Sequence, residues 1–159
     1  EQGEADLIDI EFFEEDGSLE DLKMEFLAEA AHSHGKRVIF SNHDFDKTPD
    51  LESIVKRLLA MAQMGADLPK VAYMPRKPED VLVLLEAARL AGQEALEGPF
   101  IALSMGEMGR ETRICGGSFG SAVTFAAPPG SAPDQRSAPG QLDARELARC
   151  LLAYYNEKE

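Results

Sequence analysis

The amino-acid sequence predicts an α/β fold built on a parallel sheet. Short apolar segments alternate with longer segments of helical periodicity in the order β-α-β-α-β-α-β, followed by a short helix, a fifth strand, a long loop and a final helix. Regular alternation of this kind favours parallel strands joined by right-handed helical crossovers. Five strands suffice for an open doubly wound sheet but cannot close an eight-stranded barrel. No Gly-rich phosphate loop follows the first strand, which weakens a nucleotide-binding version of the open sheet.

The bulk composition is that of one soluble globular domain. The 159 residues are 44% hydrophobic and 28% charged, and a chain of this length buries a sizeable core. Its net charge of −13 argues against a nucleic-acid partner, because a phosphate backbone is normally met by a basic face. An anionic ligand would therefore need cations of its own at the binding site.

Cysteine usage and hydropathy indicate the compartment. Cys115 and Cys150 have neither metal-like spacing nor the framework of a disulfide-rich protein, which fits a reducing interior. The sequence shows no signal peptide and no apolar run of transmembrane length. We therefore expect a cytoplasmic protein that does not bind membranes.

The first strand has an acidic face. Residues 7–13 alternate between apolar side chains on one side and two acids, Asp9 and Glu11, on the other. Such acids face either solvent or the polar interior of a barrel, and the local pattern leaves both readings open.

Later elements follow from periodicity and from capping residues. Gly35 is placed to end the first helix and Thr48 to cap the second, while helical spacing puts Phe26 and Leu152 on buried helix faces. A long mobile loop rich in Pro, Gly, Ser and Ala is expected at residues 127–140. The remaining strands are predicted at residues 38–41, 70–74, 100–105 and 121–126, and the helices at residues 19–34, 48–64, 78–96 and 143–155.

His43 is the first candidate for chemistry. The buried strand at residues 38–41 delivers Asn42, His43 and Asp44 to its carboxyl end, which is where ligands bind in parallel α/β folds. A single histidine near a strand end is more often a hydrogen-bonded structural residue than a catalyst. The other residues of the chain have to decide between these readings.

Lys70 is the second candidate, because it stands inside the apolar run between Pro69 and Val71. Burying an ammonium group is unfavourable unless the group is paired or neutralised. A neutral amine in an apolar pocket is the nucleophile that Schiff-base chemistry requires. The alternative, favoured by this strand alone, is a lysine at a strand entrance whose side chain reaches back to solvent.

Five phrases, taken in order, resemble type I 3-dehydroquinate dehydratase from about Leu7 onward: SNHDF with a following KTP, DLPKVAYMP, LSMG with a downstream arginine, FGSAVTFA, and SAPGQ. The resemblance implies a (β/α)8 TIM barrel, of which this chain would hold about five β/α units as the carboxyl-terminal portion. It implies dehydration of 3-dehydroquinate to 3-dehydroshikimate in the shikimate pathway of aromatic amino acid biosynthesis. The reaction would run through a lysine Schiff base without metal or organic cofactor, in a homodimer.

The resemblance also assigns catalytic roles. Lys70 matches the Schiff-base lysine, which attacks the substrate ketone. His43 matches the proton shuttle, a role that suits a group titrating near neutral pH. Arg113 matches the arginine that binds the substrate carboxylate through a planar two-donor fork.

Lid and supporting residues complete the implied site. Ser137 and Gln141 match the lid that closes over the substrate, within a lid loop at residues 127–141. Asp9 resembles a buried family acid that supports the site, and Met105 in LSMG is a further supporting candidate.

Two departures from the family pattern stand out. In the family, three further strands precede the one matched by residues 7–13, and they carry a Glu-x-Arg pair, another arginine and a glutamate that orients the histidine. Residues 1–6 supply none of these groups. The lid is also longer, because APPGSAPDQR precedes SAPGQ. An incomplete barrel would leave the edges of its first and last strands unpaired.

Two other functions stay open. A non-catalytic partial barrel would serve as an interaction module through its unpaired strand edges, but it has no need of Lys70, His43 and Arg113 together. Another Schiff-base aldolase or lyase barrel would share Lys70, yet it has no reason to carry SNHDF and SAPGQ.

Overall fold

The structure, a computed structural model, describes residues 5–13 and 21–156. Four parallel strands form one sheet in chain order: β1 (Leu7–Glu11), β2 (Arg37–Asp44), β3 (Leu68–Tyr73) and β4 (Ile101–Ser104). The helices are α1 (Asp21–Ser33), α2 (Leu51–Gln63), α3 (Pro78–Leu90), α4 (Thr112–Cys115) and α5 (Ala144–Asn156). The predicted α/β class with a parallel sheet is confirmed. A turn predicted at residues 14–18 lies outside the described residues.

The two faces of the sheet have different surroundings. One face packs against the helices in a large apolar core, whose most buried members are Phe12, Val38, Phe40, Ile54, Leu58, Met61, Val71, Tyr73 and Leu84. The opposite face carries a smaller apolar group made of Ile39, Ala72, Ile101, Leu103 and Met105. Successive side chains of a strand point to opposite faces of the sheet. Polar residues at alternate positions near the strand ends therefore also lie on this second face.

The fifth strand predicted at residues 121–126 does not form. Ser121 makes only one isolated parallel bridge, to the residue that precedes β4. Side-chain hydroxyls occupy the free edge of β4 instead: the Ala102 amide donates to Ser121 Oγ at 3.0 Å and the Ser104 amide to Thr112 Oγ1 at 3.0 Å. Since these donors are already satisfied, the ladder does not continue past β4.

Asp50, and not Thr48 as predicted, caps the second helix. Asp50 Oδ1 accepts a hydrogen bond from the Ser53 amide at 2.9 Å, and Oδ2 accepts one from the Ser53 hydroxyl at 2.7 Å. These bonds lower the pKa of the Asp50 carboxyl. The Thr48 hydroxyl donates instead to the Met74 carbonyl at 3.3 Å, which ties the start of α2 to the end of β3.

The helix ends follow the glycines, with one exception. Gly35 has φ +69° after α1 and Gly65 has φ +95° after α2, as expected for helix-terminating glycines. The third helix stops being α-helical at Leu90 and continues as a π-helical turn, Ala91–Ala95, closed by a bond from the Leu96 amide to the Ala91 carbonyl at 2.8 Å. The predicted helix at residues 78–96 is therefore regular only in its first part.

Two residues that were predicted on buried helix faces are exposed. Phe26 in α1 is 68% exposed and Leu152 in α5 is 60% exposed. The buried residues of α1 are smaller and lie on a rotated stripe that includes Met24 and Ala28, and α5 buries Leu147. Hydrophobicity alone therefore misplaced Phe26 and Leu152.

The cysteines and the helix lengths complete the description. Cys115 and Cys150 are free, half-buried thiols, and burial raises the pKa of Cys115. Between residues 21 and 156, every helix is too short or too polar to cross a lipid bilayer.

Candidate active site

One cavity of about 290 Å³ brings the sequence-predicted site residues together. It lies on the second face of the sheet, toward the carboxyl ends of the strands. Its lining contains all seven candidates, Lys70, His43, Arg113, Ser137, Gln141, Asp9 and Met105, together with Ala72, Leu103, Phe125 and Ala138. The side chains come from separate elements, so only the folded chain creates the site.

Lys70 is buried in this cavity. Its side chain is 10% exposed, and Nζ lies 2.7 Å from Asp9 Oδ2 and 4.9 Å from the centre of the Phe125 ring. Strand β3 begins at Leu68, two residues earlier than predicted, which places Lys70 inside the strand and not at its entrance. The reading in which Lys70 reaches back to solvent is therefore wrong.

His43 sits near the end of β2 and is held by Glu11. Its Nδ1 lies 2.5 Å from Glu11 Oε2, and its backbone amide donates to Glu11 Oε1 at 2.9 Å. The ring is stacked on Phe45 with 6.1 Å between ring centres. Within the part of the chain that the structure describes, Nε2 has no hydrogen-bond partner and is the ring nitrogen left for a ligand.

Glu11 was not predicted as a site residue. Alternation along β1 put Glu11 on the same face as Asp9, and the register pairs Glu11 with Ser41, two residues before His43. The resemblance had placed the orienting glutamate in strands upstream of residue 7. The signal that could have found Glu11 was the acidic face itself, whose two carboxylates contact Lys70 and His43.

Arg113 projects from the short helix α4 and is 2% exposed. Its Nη1 donates to the Phe125 carbonyl at 3.3 Å and its Nη2 to the Pro139 carbonyl at 3.2 Å. Its Nε is buried and has no partner among the described residues. Burial lowers the pKa of the guanidinium, and a buried, under-satisfied cation of this kind favours an anionic ligand.

A tight turn after β4 places this arginine. A Cβ on Gly109 would lie 2.4 Å from the Ser104 carbonyl carbon, so the turn is open only to glycine. Thr112 then ties the start of α4 to β4 through its bond from the Ser104 amide. The turn thus places the backbone of Arg113, and the two carbonyl contacts hold its guanidinium.

The lid residues are seated on the same turn region. The side-chain amide of Gln141 donates to the Ser137 hydroxyl at 2.9 Å. The Pro139 carbonyl accepts from the backbone amide of Gly106 at 3.2 Å. Gly140 has φ +74°, and a Cβ there would lie 2.1 Å from the Gly106 carbonyl oxygen. No other residue type fits Gly140 while the lid holds this position.

Backbone bonds close the base of the loop at residues 127–141. The Ala127 amide donates to the Leu142 carbonyl at 2.8 Å, and the Ala144 amide donates to the Ala127 carbonyl at 2.9 Å. Asp143 Oδ2 accepts from the Gly130 amide at 2.8 Å, a bond that lowers the pKa of Asp143. The loop therefore leaves and re-enters the fold at one point.

Two cations and one carboxylate line the cavity, with Asp9 paired to Lys70 and Arg113 left for a small anion. The chain carries 29 acidic and 16 basic residues, yet Lys70 and Arg113 line this one cavity. Within residues 5–13 and 21–156, no three His, Cys, Asp or Glu side chains are grouped so that they would hold a metal ion. Fold and site together define a parallel α/β protein with a buried lysine and a carboxylate-bound histidine, an arrangement suited to Schiff-base chemistry.

Comparison with known proteins assigns the family. The model of the type I 3-dehydroquinase family matches residues 1–158. The chain therefore belongs to the type I 3-dehydroquinase family. It is 45% identical over 149 residues to the 3-dehydroquinate dehydratase of Syntrophotalea carbinolica, covering 94% of this chain and 55% of that protein. It is 46% identical over 149 residues to the 3-dehydroquinate dehydratase of Clostridioides difficile strain 630, covering 94% and 54%.

Solved structures give the same result. A type I 3-dehydroquinate dehydratase from Clostridium difficile with covalently modified comenic acid matches with a TM-score of 0.84 and 43% identity, over 96% of this chain and 56% of that one. The 3-dehydroquinate dehydratase of Geobacillus kaustophilus matches with a TM-score of 0.85 and 36% identity, over 97% and 55%. The expected membership of the TIM-barrel class is confirmed, with an open sheet of four strands here. The chain spans about half the length of the relatives it matches.

Proposed function

We propose that this chain carries the imine-forming part of a 3-dehydroquinate dehydratase, which converts 3-dehydroquinate to 3-dehydroshikimate in the shikimate pathway. Family membership and the names of its relatives support the reaction. The observation that carries the proposal is the burial of Lys70 Nζ in the same cavity as His43 and Arg113. These groups supply the nucleophile, the proton carrier and the carboxylate site that the reaction needs.

Lys70 begins the reaction by adding its amine to the ketone carbon of the substrate. Loss of water from that adduct leaves an imine between Nζ and the former carbonyl carbon. Asp9, 2.7 Å from Nζ, holds the amine in the cavity and offers a carboxylate for the proton that the ammonium must give up before attack. The Phe125 ring at 4.9 Å keeps the other side of Nζ apolar.

His43 moves the proton between carbon and oxygen. With Nδ1 bound to Glu11, Nε2 takes a proton from the carbon next to the imine, and the electron pair is delocalised onto the imine nitrogen. The same imidazole then gives its proton to the hydroxyl at the neighbouring carbon, which departs as water. Hydrolysis of the imine releases 3-dehydroshikimate and restores Lys70.

Arg113 and the lid position the substrate. The unpartnered Nε of Arg113 is one donor for a carboxylate, and the Nη atoms become available when they exchange their carbonyl partners for the substrate. Ser137 and Gln141 close the cavity above the reacting atoms, which excludes water from the imine. Met105, 1% exposed, forms part of the apolar wall.

We also propose a setting for this chain. The order of its motifs supports a single domain over residues 1–159 that is the carboxyl-terminal portion of a type I barrel, with residues 127–141 as the lid and further substrate contacts in upstream strands. The net charge of −13 supports a protein that does not bind nucleic acid, and the two free cysteines support a cytoplasmic setting without membrane binding. Homodimer formation is proposed from the family resemblance.

Reductive trapping tests the proposed imine. The 159-residue chain is incubated with 3-dehydroquinate and sodium borohydride, and its intact mass is measured. We expect one equivalent of reduced adduct on the unchanged chain and on Lys56→Met, an exposed control lysine, and none on Lys70→Met. Absence of adduct from the unchanged chain, or its persistence in Lys70→Met, would overturn the proposal.

A further inference from the structure

The carboxylate that holds His43 is itself held in place. Besides its two bonds with His43, Glu11 accepts a hydrogen bond from Asn42 Nδ2 at 3.3 Å on Oε1 and one from the Ser41 hydroxyl at 3.4 Å on Oε2. Each oxygen therefore has one partner on His43 and one on a neighbouring residue of β2. The side chain of Glu11 is 44% exposed, so these bonds, and not burial, limit its rotation.

Asn42 connects the Glu11 carboxylate to the core of the protein. It is 6% exposed, and its Oδ1 accepts from Tyr73 Oη at 2.8 Å and from Arg57 Nη1 at 2.7 Å. Two donors on Oδ1 fix the orientation of the amide, so Nδ2 must face Glu11. The side-chain amide of Asn42 thus joins the helix-packed face of the sheet to the carboxylate at the cavity.

Tyr73 and Arg57, the two partners of Asn42, are themselves held in place. Tyr73 is completely buried, and burial raises the pKa of its phenol to about 12 against the opposing effect of Arg57, so its hydroxyl remains a donor. The Arg57 guanidinium lies 5.3 Å from the centre of the Phe13 ring and 6.0 Å from that of Tyr73. Polar networks that are satisfied in this way hold their members in one arrangement.

We propose that Glu11 is the positioning residue for His43, and that Arg57, Tyr73 and Asn42 together hold its carboxylate. The histidine ring then keeps its proton on Nδ1 and turns the Nε2 lone pair toward the cavity. This inference rests on the proposed function for its catalytic meaning. It assigns the orientation of His43 to this chain's own first strand, whereas the family resemblance placed an orienting glutamate further upstream.

The tautomer of His43 is a direct readout, because its imidazole nitrogen shifts report which nitrogen carries the proton. We expect long-range proton–nitrogen spectra of the ¹⁵N-labelled chain, at a pH where the ring is neutral, to show His43 protonated on Nδ1. In Glu11→Gln the ratio of Nδ1–H to Nε2–H should fall by about tenfold, the size expected from loss of one charge-assisted hydrogen bond. Tyr73→Phe, which removes one donor to Asn42, should shift the ratio less and in the same direction.

Internal controls separate positioning from general damage to the fold. The signals of His32 and His34, which contact Asp67 and the Ala30 carbonyl respectively, should not change in Glu11→Gln. Glu79→Gln, at an exposed position in α3, should leave the His43 tautomer as it is in the unchanged chain. An unaltered His43 tautomer ratio in Glu11→Gln overturns the inference.

Reductive trapping keeps this test distinct from that of the proposed function. Glu11→Gln retains Lys70 and should still give the reduced adduct with 3-dehydroquinate. No adduct on the unchanged chain would contradict the proposed function, while the tautomer result would still decide the role of Glu11. Adduct on both proteins with unaltered His43 spectra would contradict the positioning role alone.

Discussion

At the scale of single residues, the site depends on two acids that lie two positions apart on β1. Asp9 contacts Lys70 Nζ and Glu11 contacts His43 Nδ1. Both acids point to the cavity side because side chains alternate along a strand, and a register slip of one residue would turn both away. The short acidic strand therefore contacts both groups that are proposed to act on the substrate.

His43→Ala should separate imine formation from proton transfer. Lys70 and Asp9 remain in place, so the variant should still be trapped by borohydride in the presence of 3-dehydroquinate. Without a proton carrier at the neighbouring carbon, formation of the conjugated enone product, followed by ultraviolet absorbance, should be slower by about 10²- to 10⁴-fold. His34→Ala, which changes an exposed histidine outside the cavity, is the matched control. Unimpaired enone formation by His43→Ala would show that another group moves the proton.

Part of this residue-level account could be predicted from the sequence. A histidine after a buried strand and a lysine inside another were visible as unusual residues. The partner of His43 was not, because pairing Glu11 with His43 requires the parallel register of β1 and β2, which no local pattern encodes. The sequence alone also favoured a solvent-exposed side chain for Lys70. The Asp9 carboxylate that makes its burial tolerable could not be seen from the local sequence, because it lies 61 positions away along the chain.

At the scale of elements, the lid and the arginine helix α4 meet at one atom. The Pro139 carbonyl oxygen accepts hydrogen bonds from the Gly106 amide and from Arg113 Nη2. The group proposed to bind the substrate carboxylate is thus also a contact of the lid. Binding of a carboxylate by Arg113 is expected to change how residues 137–141 are seated.

Gly140→Ala should unseat the lid, while Gly130→Ala should not. Both glycines have positive φ, +74° and +79°, so the backbone strain is matched. A Cβ at position 140 would clash with the Gly106 carbonyl at 2.1 Å, whereas nothing lies within 4 Å of one at position 130. Amide hydrogen exchange at Gly106 should be roughly tenfold or more faster in Gly140→Ala than in Gly130→Ala. Equal exchange rates in the two variants would contradict the described seat of the lid.

The predicted elements fail where side chains compete with the backbone. Strands β2, β3 and β4 were found within about three residues of their bounds because each is a continuous apolar run. The strand predicted at residues 121–126 has suitable side chains but lost its partner edge to the hydroxyls of Ser121 and Thr112. Thr48 was a plausible cap, yet Asp50 lies closer to the first turn and bonds Ser53 twice.

At the scale of the whole molecule, the fold of an acidic chain brings two buried cations into one cavity. The net charge is −13, while Lys70 and Arg113 lie in a single cavity, where Lys70 is paired with Asp9. Composition predicted that an anionic ligand would need local cations, and the fold class predicted the strand ends as their place. How Arg113 would be oriented was not predictable, because the glycine turn at Gly109 and the carbonyls of Phe125 and Pro139 fix it.

A crystal structure of the borohydride-reduced adduct with 3-dehydroquinate is the most direct test that these residues form one site. We expect a single bond from Lys70 Nζ to the former ketone carbon. The ligand carboxylate should lie on Arg113, and His43 Nε2 should face the adjacent carbon. Glu11 should remain on His43 Nδ1. Two results would contradict this prediction. One is a ligand attached to another residue. The other is a ligand whose carboxylate lies away from Arg113 while Arg113 keeps its bonds to the Phe125 and Pro139 carbonyls.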